Sequence, residues 1–521
     1  MCDAEEGGCG GGEGGQLPPR VPRGSRPTKC MKCKEGSPAL IIRVGDAFCK
    51  ACFKDYFVHK FRATLGKNRC IYPGEKVLLA FSGGPASSSM VRQVQEGLSQ
   101  EAAKKLRFKP GIIYIDEGAV CGQSLAAREE VRKQVKAILQ STRFPYHLVC
   151  LEEVFDLPSS VLHSLSCSIT DQCHNYKEAV DGFIKQQCEK KGDTVGLCLQ
   201  DQMGELSVQD SAQKEKGATS GTETPAFHTK ELIKLFGAVK TLTAKEELLQ
   251  TLRTHLILHV ARTNGYAKVM MGDNCTRLAV KLMTNLCLGR GAFLASDTGF
   301  LDNRHGDVLF LRPMREYAAK EIAFYNHFFG VPNVFTPALD TKASERASIH
   351  HLIESFLYKL QSEFPSTIST VYRTGEKLSV NPRDGNAKEP SELAQCLLCL
   401  CSLDTNVVDG SSLQSTLLSE QLCQKLPAAS PDGNSCCGGT GNQMGCCRCR
   451  PETGDASLHT ELLPLLCYSC RRTIKDMKCL ESLPPYIHSE AERRRCRAAM
   501  KREIQEFLLE EGPEMTLDAP M

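Results

Sequence analysis

Cys30-Met-Lys-Cys33 and Cys49-Lys-Ala-Cys52 stand 15 residues apart. A two-residue gap lets both sulfurs of a pair face one ion, and the connection is long enough for a hairpin that brings the second pair round. Four thiolates close a tetrahedral zinc site with no open position for catalysis. A module this small is unfolded without its metal. Cys396-Leu-Leu-Cys399 and Cys467-Tyr-Ser-Cys470 repeat the pattern across 67 residues rich in Gly, Ser and Pro. The spacing predicts a second zinc site closed over a looped-out insertion. Inside that insertion, Cys436, Cys437, Cys446, Cys447 and Cys449 read either as a third cluster or as reduced thiols on a loop.

A different chemistry attaches to Ser82-Gly-Gly-Pro-Ala-Ser87. It follows the apolar run Lys76 to Phe81 and precedes a helical stretch. A loop between strand and helix exposes backbone N–H groups at a helix N-terminus, where the helix dipole adds positive potential. Glycines let that backbone approach a pyrophosphate closely.

The elements that would carry these residues alternate from Gly74 to Tyr325. Buried strands are read at 76–81, 112–116, 146–151 and 268–272, with helices at 87–106, 123–140, 174–191 and 244–263 between them. Strands separated by helices imply crossovers and a parallel sheet. Further helices are read at 53–65, 316–330, 344–361 and 490–510. The organisation expected is a disordered tail over 1–28, a zinc module over 29–66 and an α/β domain over 70–340 with a flexible insertion at 200–226. A helical connector and linker follow over 341–390. A second Cys-rich zinc module spans 391–480 with a low-complexity insertion at 403–460, and a charged helix and tail occupy 481–521.

Composition excludes several classes. Lys+Arg is 64 against Asp+Glu 61, which argues against nonspecific coating of nucleic acid. Arg493-Arg-Arg495, Arg497, Lys501 and Arg502 could still form one phosphate-tracking face, or simply a charged surface helix. Lys29, Lys32, Lys34, Lys50 and Lys54 decorate the first zinc module. Met1 to Gly15 holds acidic residues and glycines with no apolar core, so no signal peptide is expected. No apolar run reaches about 18 residues, so no membrane span is expected either. The 28 cysteines should therefore be reduced thiols, several of them metal ligands.

The run Ser82 to Ser87 resembles the SGGxDS loop of the PP-loop ATP pyrophosphatases, which bind ATP there and adenylate a carbonyl oxygen, often on a tRNA base. Ile115-Asp116-Glu117-Gly118 resembles that family's second strand with its acidic end. Met271-Gly272-Asp273-Asn274 resembles its later G-H/D-N segment. Leu311-Arg-Pro-Met-Arg315, followed by Lys320 to Tyr325, resembles the RPL and KEI stretches of its tRNA-thiolating members. The resemblance implies an α/β, Rossmann-like parallel sheet flanked by helices. It also implies a nucleotide-loop remnant at Ser82, Gly83, Gly84, Ser87, Asp116, Gly272, Asp273 and Asn274.

Departures from that pattern weaken the site. The motif's Asp is Ala86, which cannot engage magnesium, and Pro85 removes a backbone donor. Pro85 also suits the first turn of a helix. Cys275-Thr-Arg277 stands where active relatives have an acidic pair. The middle of the domain holds Cys167, Cys173, Cys188 and Cys198 with no CxxC, and Cys275 and Cys287 follow. Buried cysteines of this kind read as small hydrophobes.

Taken together, the N-terminal CxxC pair, degraded loop and C-terminal CxxC pairs around an insertion resemble the cytoplasmic tRNA 2-thiolation protein 2 family. That resemblance implies a cytoplasmic heterodimer with the related cytoplasmic tRNA 2-thiolation protein 1, which keeps the intact loop and the ATP and magnesium. It implies sulfur from a thiocarboxylated ubiquitin-like carrier, and 2-thiolation of the wobble uridine (mcm5s2U) of tRNA for Lys, Glu and Gln. Two other readings stay open: a self-sufficient tRNA-modifying ATP pyrophosphatase, and a zinc-dependent adaptor that only recruits partners. Whether this chain itself binds ATP the sequence leaves open.

Overall fold

A computed structural model describes residues 28–42, 46–99, 105–163, 180, 224–378, 395–403, 462–477, 480–505 and 507. The predicted helix 174–191 lies outside them apart from Val180, as do the linker 379–390 and the cysteines of the long insertion. The chain divides into two compact units, Met1–Val58 and His59–Met521.

The first unit contains β1 (Leu40–Ile41) and β2 (Ala47–Phe48), an antiparallel pair with Leu40 opposite Phe48. Helix α1 (Lys50–Asn68) follows directly, longer than the 53–65 read from the sequence, and the division between units falls within it. Phe48 stacks on Tyr56 with ring centroids 5.4 Å apart.

The second unit is built on β3 (Lys76–Ala80), α2 (Pro85–Leu98), β4 (Lys109–Asp116), α3 (Leu125–Thr142) and β5 (Tyr146–Cys150). Then come α4 (Thr224–Ala238), α5 (Leu242–Thr263), β6 (Lys268–Met270), α6 (Cys275–Cys287) and α7 (Leu294–Thr298). The sheet is completed by β7 (Leu301–Asp302) and β8 (Leu309–Leu311). Helices α8 (Ala319–Phe329), α9 (Ile349–Glu363), α10 (Thr367–Glu376), α11 (Tyr468–Ile474) and α12 (Pro485–Gln505) close the unit.

The strand order is β5-β4-β3-β6-β8-β7, parallel except for β7, which runs antiparallel to β8. The expected four parallel strands are present, and two short ones escaped the sequence reading. With two and three residues, neither is long enough to show a periodicity. From β3 the chain builds outward through β4 and β5, then returns to the other side of β3 for β6. That reversal sets the topological switch point between β3 and β6, and open α/β sheets bind ligands at the carboxyl ends of the strands beside such a point. Parallelism therefore brings Ser82, Asp116 and Gly272, which are far apart in sequence, to one edge.

Local signals explain the helix starts. Ser124, Thr241, Asn274 and Ser348 each accept a hydrogen bond from a first-turn amide of α3, α5, α6 and α9, filling a donor the helix leaves orphaned. Helix α8 stops at Gly330, whose φ of 58° suits a residue without Cβ.

One apolar core runs from Leu78 and Val269 in the sheet through Leu252 and Leu256 of α5 to Leu397, Leu466, Ile474 and Ile487 of the C-terminal segments. The second Cys-rich region is thus packed into the core of the α/β unit, with α11 against α5. A smaller core joins Leu278 of α6 to Leu357 of α9 and Tyr372 of α10.

Candidate functional site

The sulfurs of Cys30, Cys33, Cys49 and Cys52 all lie within 4.8 Å of one another. A tight turn holds the first pair: Lys34 N–H donates to Cys30 O at 2.8 Å, and Gly36 N–H donates to Cys33 Sγ at 3.3 Å. Lys34 itself adopts φ 61°. The second pair brackets the start of α1, because the end of β2 delivers Cys49 and the first helical turn carries Cys52. Backbone N–H groups of Cys33 and then Cys49 draw Cys30 down to about 6, while the neighbouring Cys49 thiol, with burial second, pushes Cys52 up to about 12. Such crowding is relieved when a cation replaces the protons. Nearby, Lys32 pairs with Asp55 at 3.3 Å.

Cys396, Cys399, Cys467 and Cys470 form the second gathering, again within 4.8 Å. Here the loop after Cys396 turns through Leu400 at φ 56°, and Leu400 N–H donates to Cys396 O at 3.1 Å. Cys467 caps α11 and sends its N–H to Cys396 Sγ at 3.3 Å. Hydrogen bonds from Cys396 and then Cys401 hold the Cys399 thiol well below its usual range, whereas burial first, then Cys399, raises Cys396.

Both sets fit one tetrahedral ion. Zn–S bonds of about 2.3 Å place thiolates about 3.8 Å apart. Cys33 and Cys49 sulfurs are 4.0 Å apart, and Cys399 and Cys467 sulfurs 3.6 Å. A four-iron cluster seats each thiolate on a different iron and spreads them further.

The nucleotide-loop residues are brought together but turned on one another. Pro85 occupies the first turn of α2, with Gly84 at its cap in extended geometry. Gly83 has φ 80°, and its carbonyl accepts from Val334 N–H at 2.9 Å. Ser82 and Ser87 hydroxyl oxygens lie 3.2 Å apart, Ser82 N–H donates to Ser87 Oγ at 3.2 Å, and Ser87 Oγ donates to Gly84 O at 3.0 Å. From α8, Asn326 donates to Pro85 O at 2.9 Å and accepts from Ser89 Oγ at 2.6 Å, clamping the first turn of α2.

The acidic positions are similarly committed. Asp116 accepts from Gly118 N–H and from Arg128 Nε, each at 2.9 Å, and Arg128 in turn grips Glu152 at 2.7 and 3.1 Å. Glu117 is held by Arg253. Asp273 lies 3.4 Å from Arg312, and Asn274 is occupied as the cap of α6, accepting from Arg277 N–H at 2.9 Å. Gly272 packs so tightly on α2 that a Cβ there would sit 3.0 Å from Ser87 N. No carboxylate stands in the loop, and those around it are paired with arginines. This does not fit a magnesium-bound triphosphate, which needs free oxygen ligands for the ion.

Of the other sulfurs singled out by sequence, Cys275 is buried at the start of α6, where burial raises its thiol to about 11, and Cys287 is exposed. Cys167, Cys173, Cys188 and Cys198 lie outside the described residues. The basic run of the last helix is split. Arg494 is 1% exposed; it pairs with the buried Glu490 at 2.7 Å and donates to Gln395 O at 2.7 Å and Leu162 O at 3.3 Å. Arg493 also pairs with Glu490. Arg493 is half-buried, and Arg495, Arg497, Lys501 and Arg502 are exposed. Sequence reading missed Arg128, Arg304 and Cys401 as site neighbours. Cys401, two residues beyond a CxxC pair, was the available signal.

A mostly parallel sheet with a Gly-rich strand-to-helix loop, followed by a CxxC gathering docked in its core, defines an α/β protein of the open, Rossmann-like kind. The family model described as Cytoplasmic tRNA 2-thiolation protein 2 matches residues 348–472. A rat protein of that name is 54% identical over 516 residues, covering 99% of this chain and 96% of its own. The human protein of that name is 53% identical over 508 residues, 95% and 96% of the two chains. The solved structure of the U34-tRNA thiolase NcsA from Methanococcus maripaludis with its 4Fe-4S cluster aligns with a TM-score of 0.44 at 15% identity, over 70% of this chain and 91% of that one. The chain belongs to the cytoplasmic tRNA 2-thiolation protein 2 family. Among the described residues, no helix is long and apolar enough to cross a membrane.

Proposed function

We propose that this chain is the non-catalytic subunit of a cytoplasmic complex that 2-thiolates the wobble uridine of tRNA for Lys, Glu and Gln. Membership of the family assigns it to cytoplasmic tRNA 2-thiolation. The observation that carries the non-catalytic reading is the closed loop: Ser82 and Ser87 hydrogen-bond each other, and Ala86 stands where a metal-binding carboxylate would be needed.

In this reading the chemistry belongs to a related PP-loop partner, cytoplasmic tRNA 2-thiolation protein 1. ATP activates the uridine carbonyl there, sulfur from a thiocarboxylated ubiquitin-like carrier replaces the adenylate, and AMP leaves. This chain supplies half of the heterodimer and part of the tRNA surface. Its two four-cysteine gatherings each hold a structural zinc ion, Cys30, Cys33, Cys49 and Cys52 for one, Cys396, Cys399, Cys467 and Cys470 for the other. Ser82, Gly83, Gly84, Ser87, Asp116, Gly272, Asp273 and Asn274 survive as a scaffold for the loop.

Mercury-affinity electrophoresis of the three tRNAs tests this. Cells lacking the chain should lose the retarded, thiolated band and regain it on re-expression, and a Ser82→Ala, Ser87→Ala double variant should restore it fully. A band that persists without the chain removes it from the pathway. Failure of the double variant, with ATP converted to AMP by the purified wild-type chain, would favour a self-sufficient enzyme.

A further inference from the structure

The two four-cysteine gatherings sit in different surroundings. In the first only Cys30 is buried and Cys33 is exposed, whereas in the second Cys396, Cys467 and Cys470 are all buried. Four thiolates around one divalent ion keep two negative charges. Water can screen them at the first gathering. In a protein core they require fixed donors and cations.

Arg304, just after β7, stands next to the second gathering. Asp302 holds its guanidinium in plane, Nε donating to Oδ1 at 2.9 Å and one terminal nitrogen to Oδ2 at 2.8 Å, and that nitrogen also pairs with Asp297. Arg312 braces Asp302 at 3.4 Å. The other terminal nitrogen is thereby aimed at one target, and it donates to Cys401 Sγ at 3.0 Å. Cys401 is buried, two residues beyond Cys399, and outside the four sulfurs that converge.

We propose that Arg304 and Cys401 are positioning residues for the C-terminal metal site. Arg304 supplies positive charge, and Cys401, polarised by it, hydrogen-bonds the Cys399 sulfur. Retention of that ion then depends on the β7 region of the sheet, although none of its residues is a ligand. The inference rests on the metal reading above. Hydrogen bonds to a bound thiolate spread its charge and slow its protonation and loss, and outer partners of this kind change metal affinity by roughly 10- to 100-fold.

The test uses the full chain loaded with zinc or cobalt, with metal release to excess EDTA followed over time. The N-terminal site serves as an internal control. Wild type should hold two ions, and Cys30→Ser and Cys467→Ser variants one each. In Cys401→Ala and Arg304→Met, one ion should leave roughly ten times faster or more while the other is unchanged, with Arg304→Lys intermediate. In the cobalt form, the thiolate-to-metal charge-transfer band of one ion should shift in Cys401→Ala. Unchanged release and an unchanged band in a two-ion wild type would overturn the proposal alone. So would loss of both ions together with a lowered melting midpoint, because Arg304 would then serve only the fold. A wild type whose single ion disappears in Cys30→Ser would overturn the C-terminal metal reading itself, and the proposal with it.

Discussion

The imidazole of His255 and the phenol of Tyr486 meet in the protein interior with Nδ1 and the hydroxyl oxygen 2.6 Å apart. The other ring nitrogen of His255 lies 2.8 Å from Leu398 O. With Tyr486 donating and Nε2–H donating to the carbonyl, a neutral ring satisfies both contacts. One side chain of α5 thus ties the last helix to the turn that carries Cys396 and Cys399. Replacing Tyr486 by Phe leaves His255 Nδ1 buried without a donor, which costs about 1–3 kcal/mol. A urea midpoint equal to wild type would show that this contact contributes nothing.

The same histidine sets an acid limit. Burial, its largest influence, lowers His255 from 6.5 to about 4 even though the Leu398 carbonyl opposes the shift. Cys399 and Arg262 act on it with opposite signs. The folded pKa is below the unfolded one, so the unfolded chain takes up its proton first. Stability from this residue is whole above pH 6.5 and is lost as pH falls toward 4, on the order of 3 kcal/mol in total. His255→Gln keeps a donor and an acceptor without titrating. Its urea midpoint should fall less steeply across that range than the wild-type midpoint does.

Glu490 and Arg494 form an ion pair that water does not reach. Arg494→Met should destabilise the chain by about 1–3 kcal/mol, since buried Glu490 loses one of its two arginine partners and the carbonyls of Gln395 and Leu162 lose a donor. Adding Glu490→Gln should recover part of that loss, because the buried carboxylate, left with only the half-exposed Arg493 and His163 as partners, goes with it. Additive losses in the double variant would contradict this account.

Gly272 is required by contact, not by φ. A methyl there would press on backbone of α2, at 3.0 Å from Ser87 N and 3.1 Å from its Cα. Backbone cannot rotate away, so Gly272→Ala should lower stability by about 1–3 kcal/mol. Equal thermal midpoints for the variant and wild type would mean that β6 and α2 separate freely.

Metal removal should act unevenly. The strands of the N-terminal module have two residues each, too few to persist without the ion. Chelation should abolish hydrogen-exchange protection at Met31 and Phe53, whose amides donate to Ala47 and Cys49. Protection in β3 and β4, buried in the sheet, should survive.

Much of this protein is written locally. CxxC spacing encodes a turn, and β2 with the first turn of α1 completes it, so both thiolate gatherings were legible before any coordinates. The strand-glycine-helix run at Ser82 and the order of later segments were legible for the same reason. A short gap or an apolar run constrains its own backbone.

Tertiary structure decided what those residues touch. That Arg128 reaches from Asp116 to Glu152, that Asn326 clamps the first turn of α2, and that Arg494 lies in the core depends on residues brought together by the fold. The same holds for Arg304, which reaches Cys401 from just beyond edge strand β7. Periodicity reports which face of an element is apolar, but carries no information about its partner across space. The sequence by itself therefore determined the chemical parts and the α/β frame. Packing alone decided that the acidic residues around the loop are spent on arginines and that the second cysteine gathering is built into the core.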